Sequence, residues 1–157
     1  MPDLAVPYVL ATPGGTITFN DGSADQFYIT DIPQGLVQAP VRAPQDDVAF
    51  GDGGLSYNFW KGARHILIEG IFLVTSVACG PSMVAIWNQM EDDLLTALDS
   101  IVGLDTDTGT LTWTPSGLSA RALTVRSEVA LECPPDQNYL VRAFHFGLLS
   151  DSPDFGP

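Results

Sequence analysis

The sequence predicts a mainly β fold: an antiparallel β-sandwich or split barrel of six to eight strands, with one packed α-helix at about residues 82–101 and a long arm loop at about residues 40–62. Three observations carry this. Apolar and polar residues alternate with period two in several short runs. Gly, Pro, Asn and Asp clusters separate those runs. A single stretch has apolar residues at helical spacing instead.

The first fifteen residues are rich in Pro and Gly and end in the turn signal Pro13-Gly14-Gly15, from which a strand at 16–19 starts. A second turn at 20–23 leads to the β-prone run 27–32, stopped by Pro33-Gln34-Gly35, and the two runs are expected to pair as a hairpin. Residues 40–62 hold Pro40, Pro44 and four glycines among the acids Asp46, Asp47 and Asp52 and the aromatics Phe50, Tyr57, Phe59 and Trp60. Four aromatics argue against disorder in so long a loop, so it is read as an ordered arm. It packs either on this domain's own core or on a neighbouring subunit.

A glycine-basic turn, Gly62 to Arg64, opens into the nearly continuous apolar run 66–74, read as a central strand buried on both faces. Gly70 inside it marks a bulge or a close backbone approach. After Gly80-Pro81-Ser82, the residues Met83, Trp87, Met90, Leu94, Leu98 and Ile101 form one helical stripe, widened by Leu95 and Ala97, with Gly103 as the expected C-cap. Its polar side carries Glu91, Asp92 and Asp93, read as a solvated face. Strands are expected at 110–114, 120–131 and 139–150. In the second of these Leu123, Val125, Ser127, Val129 and Leu131 alternate with polar or small residues, so one face is buried.

A chain of 157 residues is expected to be a single domain, 1–157. Its 19 acidic residues outnumber its 6 basic ones, for a formal charge of −13, which repels phosphate and disfavours specific nucleic-acid binding. The N-terminus has no signal-peptide pattern and no apolar run approaches membrane-spanning length, so the chain is expected to be soluble and cytosolic at synthesis. Cys79 and Cys133 are read as ordinary thiols.

No residue pattern assembles an active site, and no catalytic, cofactor or metal residue is assigned. Asp105, Asp107 and Gly109 echo a calcium loop, but its twelfth position holds Ser116 where a bidentate acid is required. Gly51-Asp52-Gly53-Gly54 lacks the Lys of a phosphate loop. His65 and His145 lie in strand-like runs with no nucleophile elbow, and are read as strand histidines facing solvent or an interface.

Over roughly residues 15–155 the chain resembles the N-terminal, ring-forming domain of the siphophage distal tail protein family. The resemblance rests on the early strands, the Gly/aromatic arm, Gly62-Ala63-Arg64 leading into 66–70, the helix, and the closing segment from Phe146 to Pro153. It implies a non-enzymatic, structural virion protein in the tail, assembled in the host cytoplasm. Such a protein forms a hexameric ring between the tail tube protein and a tail-associated hub protein, with the tape-measure protein as a further partner. DNA would pass through the bore without specific binding. Six copies at −13 would give a wall of about −78. The family's second, carbohydrate-binding domain is not expected in this chain. The subunit interface is assigned to Asp46, Asp47, Phe50, Asp52, Tyr57, Phe59 and Trp60 of the arm. The alternatives are a tail tube protein forming stacked hexameric rings and a monomeric ligand-binding β-sandwich.

Overall fold

The computed structural model describes residues 6–31, 33–36, 63–103, 107–134 and 141–151, and the backbone alone of 41–42, 45–47, 54–56 and 60–61. The first strand, β1 (Tyr8–Thr12), pairs antiparallel with β2 (Gly15–Phe19) across the Pro13-Gly14 turn. Tyr8 and Leu10 are fully buried, and Ile17 and Phe19 join them in the core. The turn signal therefore joins two strands, of which the sequence reading found only the second.

The next strand, β3 (Asp25–Ile29), does not form the expected hairpin with β2, which it meets at one parallel register pair, Phe19↔Phe27. Asn20 explains the reversal. It adopts φ 57, its amide donates to the Phe27 carbonyl at 2.9 Å, and its Oδ1 accepts from the Ile29 amide at 2.8 Å. Turn and side chain thus fold the chain back so that β3 runs alongside β2 instead of against it.

The segment read as a loop contains a nested ribbon. β4 (Val41–Arg42) pairs with β7 (Trp60–Lys61), and between them β5 (Gln45–Asp47) pairs with β6 (Gly54–Ser56). The strand after it, β8 (Arg64–Val74), is central as expected, lying between β3 and the last strand. It is not buried on both faces: Ile66, Ile68, Phe72 and Val74 point inward, His65 and Glu69 are exposed, and Leu67, Ile71 and Leu73 are half-buried. A barrel strand has one core face and one outer face, and the apolar outer residues disguised that period.

Helix α1 (Pro81–Asp99) starts with Pro81 in its first turn and buries Trp87, Met90, Leu94, Ala97 and Leu98, with Ile101 beyond its end. Leu95 is 43% exposed and lies outside the stripe, and the C-cap is Ser100 rather than Gly103. The remaining strands are β9 (Gly109–Trp113), β10 (Arg121–Glu132) and β11 (Arg142–Ser150).

Seven strands close into a barrel in the order β1-β2-β3-β8-β11-β10-β9. Closure gives each of them a neighbour on both sides, which removes the free edges that two stacked sheets would leave. The helix lies across one barrel end: Trp87 Nε1 donates to the Phe72 carbonyl at 3.0 Å, and the Ser127 amide donates to the Ile101 carbonyl at 3.1 Å. In β10 the expected alternation stops where β9 stops. Leu123 and Val125 are buried, but Val129 is 43% exposed, because the β9 ladder ends at Gly109↔Val125.

Five phenylalanines, Phe19, Phe27, Phe72, Phe144 and Phe146, fill one region of the core with ring centroids 5.0 to 6.4 Å apart. Gly70 makes their packing possible, since a Cβ there would lie 2.4 Å from the Tyr28 carbonyl oxygen and 2.6 Å from Phe144 Cζ. This is the close approach the sequence suggested. Gly70→Ala is expected to destabilise the protein by about 1–3 kcal/mol, read as a lower urea midpoint with unchanged slope.

Candidate assembly surfaces

The arm leaves the barrel between Leu36 and Arg64, at the end opposite the helix, because β8 begins there and finishes under α1. Its two roots are fastened together. Arg64 is 3% exposed, and its Nη1 donates to the carbonyls of Gly35 and Leu36 at 3.3 and 3.4 Å, across 29 and 28 residues of sequence. Gly35 has φ +83, and a Cβ on it would sit 2.0 Å from the His65 carbonyl oxygen, so only glycine fits this crossing. A buried guanidinium is costly without partners, and here it holds both roots of the arm at once.

Of the predicted interface residues, the structure places the backbones of three. Asp46 and Asp47 lie in β5 opposite Leu55 and Gly54, and Trp60 lies in β7 opposite Arg42. Phe50, Asp52, Tyr57 and Phe59 lie outside the described residues. The sequence alone places Arg64 in a turn. The period of β8 contained the signal for its role, since inward positions 66, 68, 70, 72 and 74 extrapolate back to 64.

The outer barrel face carries both histidines, each beside a carboxylate. His65 is exposed and its Nδ1 lies 2.7 Å from Glu128 Oε1, while His145 Nε2 lies 2.9 Å from Glu132 Oε2. Arg126 pairs with Asp151. Glu91 departs from the expected solvated face: it is half-buried and ion-paired with Arg142, which also donates to Asn88 Oδ1 at 2.7 Å. Asp92 and Asp93 are exposed as expected.

Beside the β1–β2 turn, β3 and the helix form an acidic groove of about 390 Å³ whose wall includes Asp21, Asp25 and Asp93. Asp25 is fully committed to structure, accepting from Ser76 Oγ at 2.5 Å and from the Ser76 and Thr75 amides at 3.1 Å each. The Ser76 hydroxyl bond, with the amides behind it, holds the Asp25 carboxyl below its ordinary value, and Ser23 does the same for Asp21. A carboxyl depressed in the folded state adds stability above its ordinary value and loses it as pH falls through the folded one. Amide protection at Thr75 and Ser76 is therefore expected to persist down to about pH 4 and to fall below it, and to be low at neutral pH in Asp25→Ala.

Among the described residues, no group of three or more His, Cys, Asp or Glu side chains is placed to hold a metal ion. Asp107 and Gly109 are described and Asp105 is not, so the acidic turn between them is only partly seen. The Cys133 thiol is pushed up to about 11, by burial first and by Glu91 second, with Arg142 opposing, which makes it a poor nucleophile near neutrality. Cys79 is exposed.

This barrel, with one helix across its end, matches a solved structure. The chain is similar to SPP1 Dit (gp 19.1), described as a paradigm of the hub adsorption apparatus in phages infecting Gram-positive bacteria, with a TM-score of 0.61 and 16% identity over 96% of this chain. The likeness is one of fold. It covers 52% of Dit, so this chain spans about half the length of that protein. No family model and no curated protein matches the chain. The Dit-like fold extends over nearly all of the sequence, including the barrel and the helix described above.

Proposed function

We propose that the protein is a structural component of a bacteriophage tail. In this reading it forms a hexameric ring at the distal end of a long non-contractile tail, joins the tail tube protein to the tail-tip hub protein, and lets DNA pass through its bore. It is non-enzymatic. The observation that carries the reading is the match of 96% of the chain to the fold of a phage hub protein. The arm supports it, because a ribbon whose two roots are held together by Arg64 suits a contact with a neighbouring subunit. The charge of −13 supports it too, since a wall of that sign does not hold passing phosphate.

Negative-stain microscopy of the purified full chain tests the proposal. Isolated rings are the expected result. Extended tubes would assign the chain to the tail tube instead, and a strict monomer near 16.8 kDa by light scattering would point to a monomeric ligand-binding β-sandwich.

A further inference from the structure

The barrel wall has a stretch where two neighbouring strands do not pair. β2 meets β3 at the single position Phe19↔Phe27, so among the described residues positions 15–18 of β2 have a ladder partner in β1 alone. In an antiparallel ladder alternate residues turn their amides and carbonyls away from the partner, and here those groups face the gap beside β3. The gap opens into the groove of about 390 Å³, lined by Thr16 and Thr18 from β2, Asp25 and Phe27 from β3, and Asp93 from the helix. An unpaired strand edge is a template for another strand. β10 also outruns its neighbour, β9, past Val125, but two register shifts interrupt it there, which blunts an edge.

The charge of the groove says what fills it. Its described lining carries Asp21, Asp25 and Asp93 and no basic residue. Among the described residues these carboxylates bond to neutral groups: Asp21 to Ser23, Asp25 to Thr75 and Ser76, and Asp93 to Gln89 at 2.9 Å. The negative charge is therefore left for an occupant to balance. Four of the chain's six basic residues lie in barrel strands: Arg64 in β8, Arg121 and Arg126 in β10, and Arg142 in β11. The other two, Arg42 and Lys61, lie in the arm's inner tier, one in β4 and one in β7. That tier is a two-stranded ribbon, so each of its strands has an outer edge to offer.

We propose that the groove receives the inner tier of the arm from a second copy of the chain, with the β4–β7 ribbon adding along residues 15–18 of β2 and Arg42 and Lys61 meeting its carboxylates. The inference rests on the ring reading above and names the surface on the neighbour that the arm meets. A chain cannot fill its own groove. Lys61 precedes Arg64 by three residues, a reach of at most about 11 Å. Arg64 and Val74 stand at opposite ends of β8, about 33 Å apart along the strand, and Asp25 of the groove pairs with Val74. Arm root and groove are thus different surfaces at opposite ends of the barrel. Joining them between copies is a head-to-tail contact, which closes into a ring when the rotation allows. It adds to the contact expected of the outer tier, whose segment 45–56 carries Asp46, Asp47 and Asp52 and no base to suit this groove.

Charge exchange in the full chain tests this, read by negative-stain microscopy and light scattering. The groove variant is Asp21→Lys with Asp93→Lys, both at exposed positions, and Asp25 is kept because it ties Thr75 and Ser76. The arm variant is Arg42→Asp with Lys61→Asp. Each is expected to raise the concentration needed for rings about tenfold or more while keeping the β circular dichroism spectrum. Mixing the two in equal amounts should restore rings, because in an alternating ring every junction joins two native surfaces or two exchanged ones. If the groove variant does not fold, Asp93→Lys alone takes its place. Rings that persist in either variant, or a mixture that fails to assemble, overturn the inference and leave the ring reading standing. Absence of rings in the wild-type chain overturns the ring reading itself.

Discussion

Removing residues 45–56, with a two-residue turn in their place, is expected to leave the barrel folded and to abolish rings. None of the seven barrel strands lies in that segment, and the deletion keeps the β4–β7 pairing and the Arg64 clamp on Gly35 and Leu36. What it removes is the β5–β6 tier, together with Asp46, Asp47, Phe50 and Asp52. The lost residues include three acids and no base, so mutual repulsion between copies falls. Failure to assemble would then report lost contacts and not added charge. Circular dichroism checks that the β spectrum and its melting are retained, and microscopy checks the rings. Rings that persist would show that the arm's outer tier is not the subunit contact.

Phe144→Ala is expected to have the largest effect on stability, about 3–5 kcal/mol out of a total of roughly 5–15. Phe144 is 1% exposed, and its ring lies 5.0 Å from that of Phe72, 6.2 Å from those of Phe19 and Phe146, and 6.4 Å from that of Phe27. These partners come from β2, β3, β8 and β11, so truncation opens a cavity shared by four strands. It includes the seam between β2 and β3, which has a single parallel register pair to hold it. The close approach at Gly70 would not be relieved in exchange, because the Tyr28 carbonyl still lies 2.4 Å from any Cβ there. Chemical denaturation measures the change. A loss below about 1 kcal/mol would mean that the aromatic cluster repacks freely, contrary to a close-packed core.

The elements legible in the sequence were those whose pattern is local. The helix announced itself through Trp87, Met90, Leu94 and Leu98, all buried as the spacing implied. The strands β8, β9 and β11 were found within a few residues, and Gly70 was recognised as a close approach. Pairing was less legible, because register is decided between distant segments. The sequence set residues 27–32 against 16–19, whereas β2 pairs with a strand hidden before Pro13, and β3 with β8. The arm looked like a loop because Asp and Gly, poor strand formers, occupy its ribbon. Closure into a barrel has no local signature at all. Among the candidate assembly residues the aromatics stand out by composition, while Arg64 at the arm's root does not, although the period of its own strand points it inward.

The central claim is that this barrel works as an assembled ring, and the mass of the purified full chain in solution tests it most directly. Light scattering is expected to give about six times 16.8 kDa, or about 101 kDa, stable on dilution through the micromolar range. A strict monomer near 16.8 kDa at high concentration would contradict it.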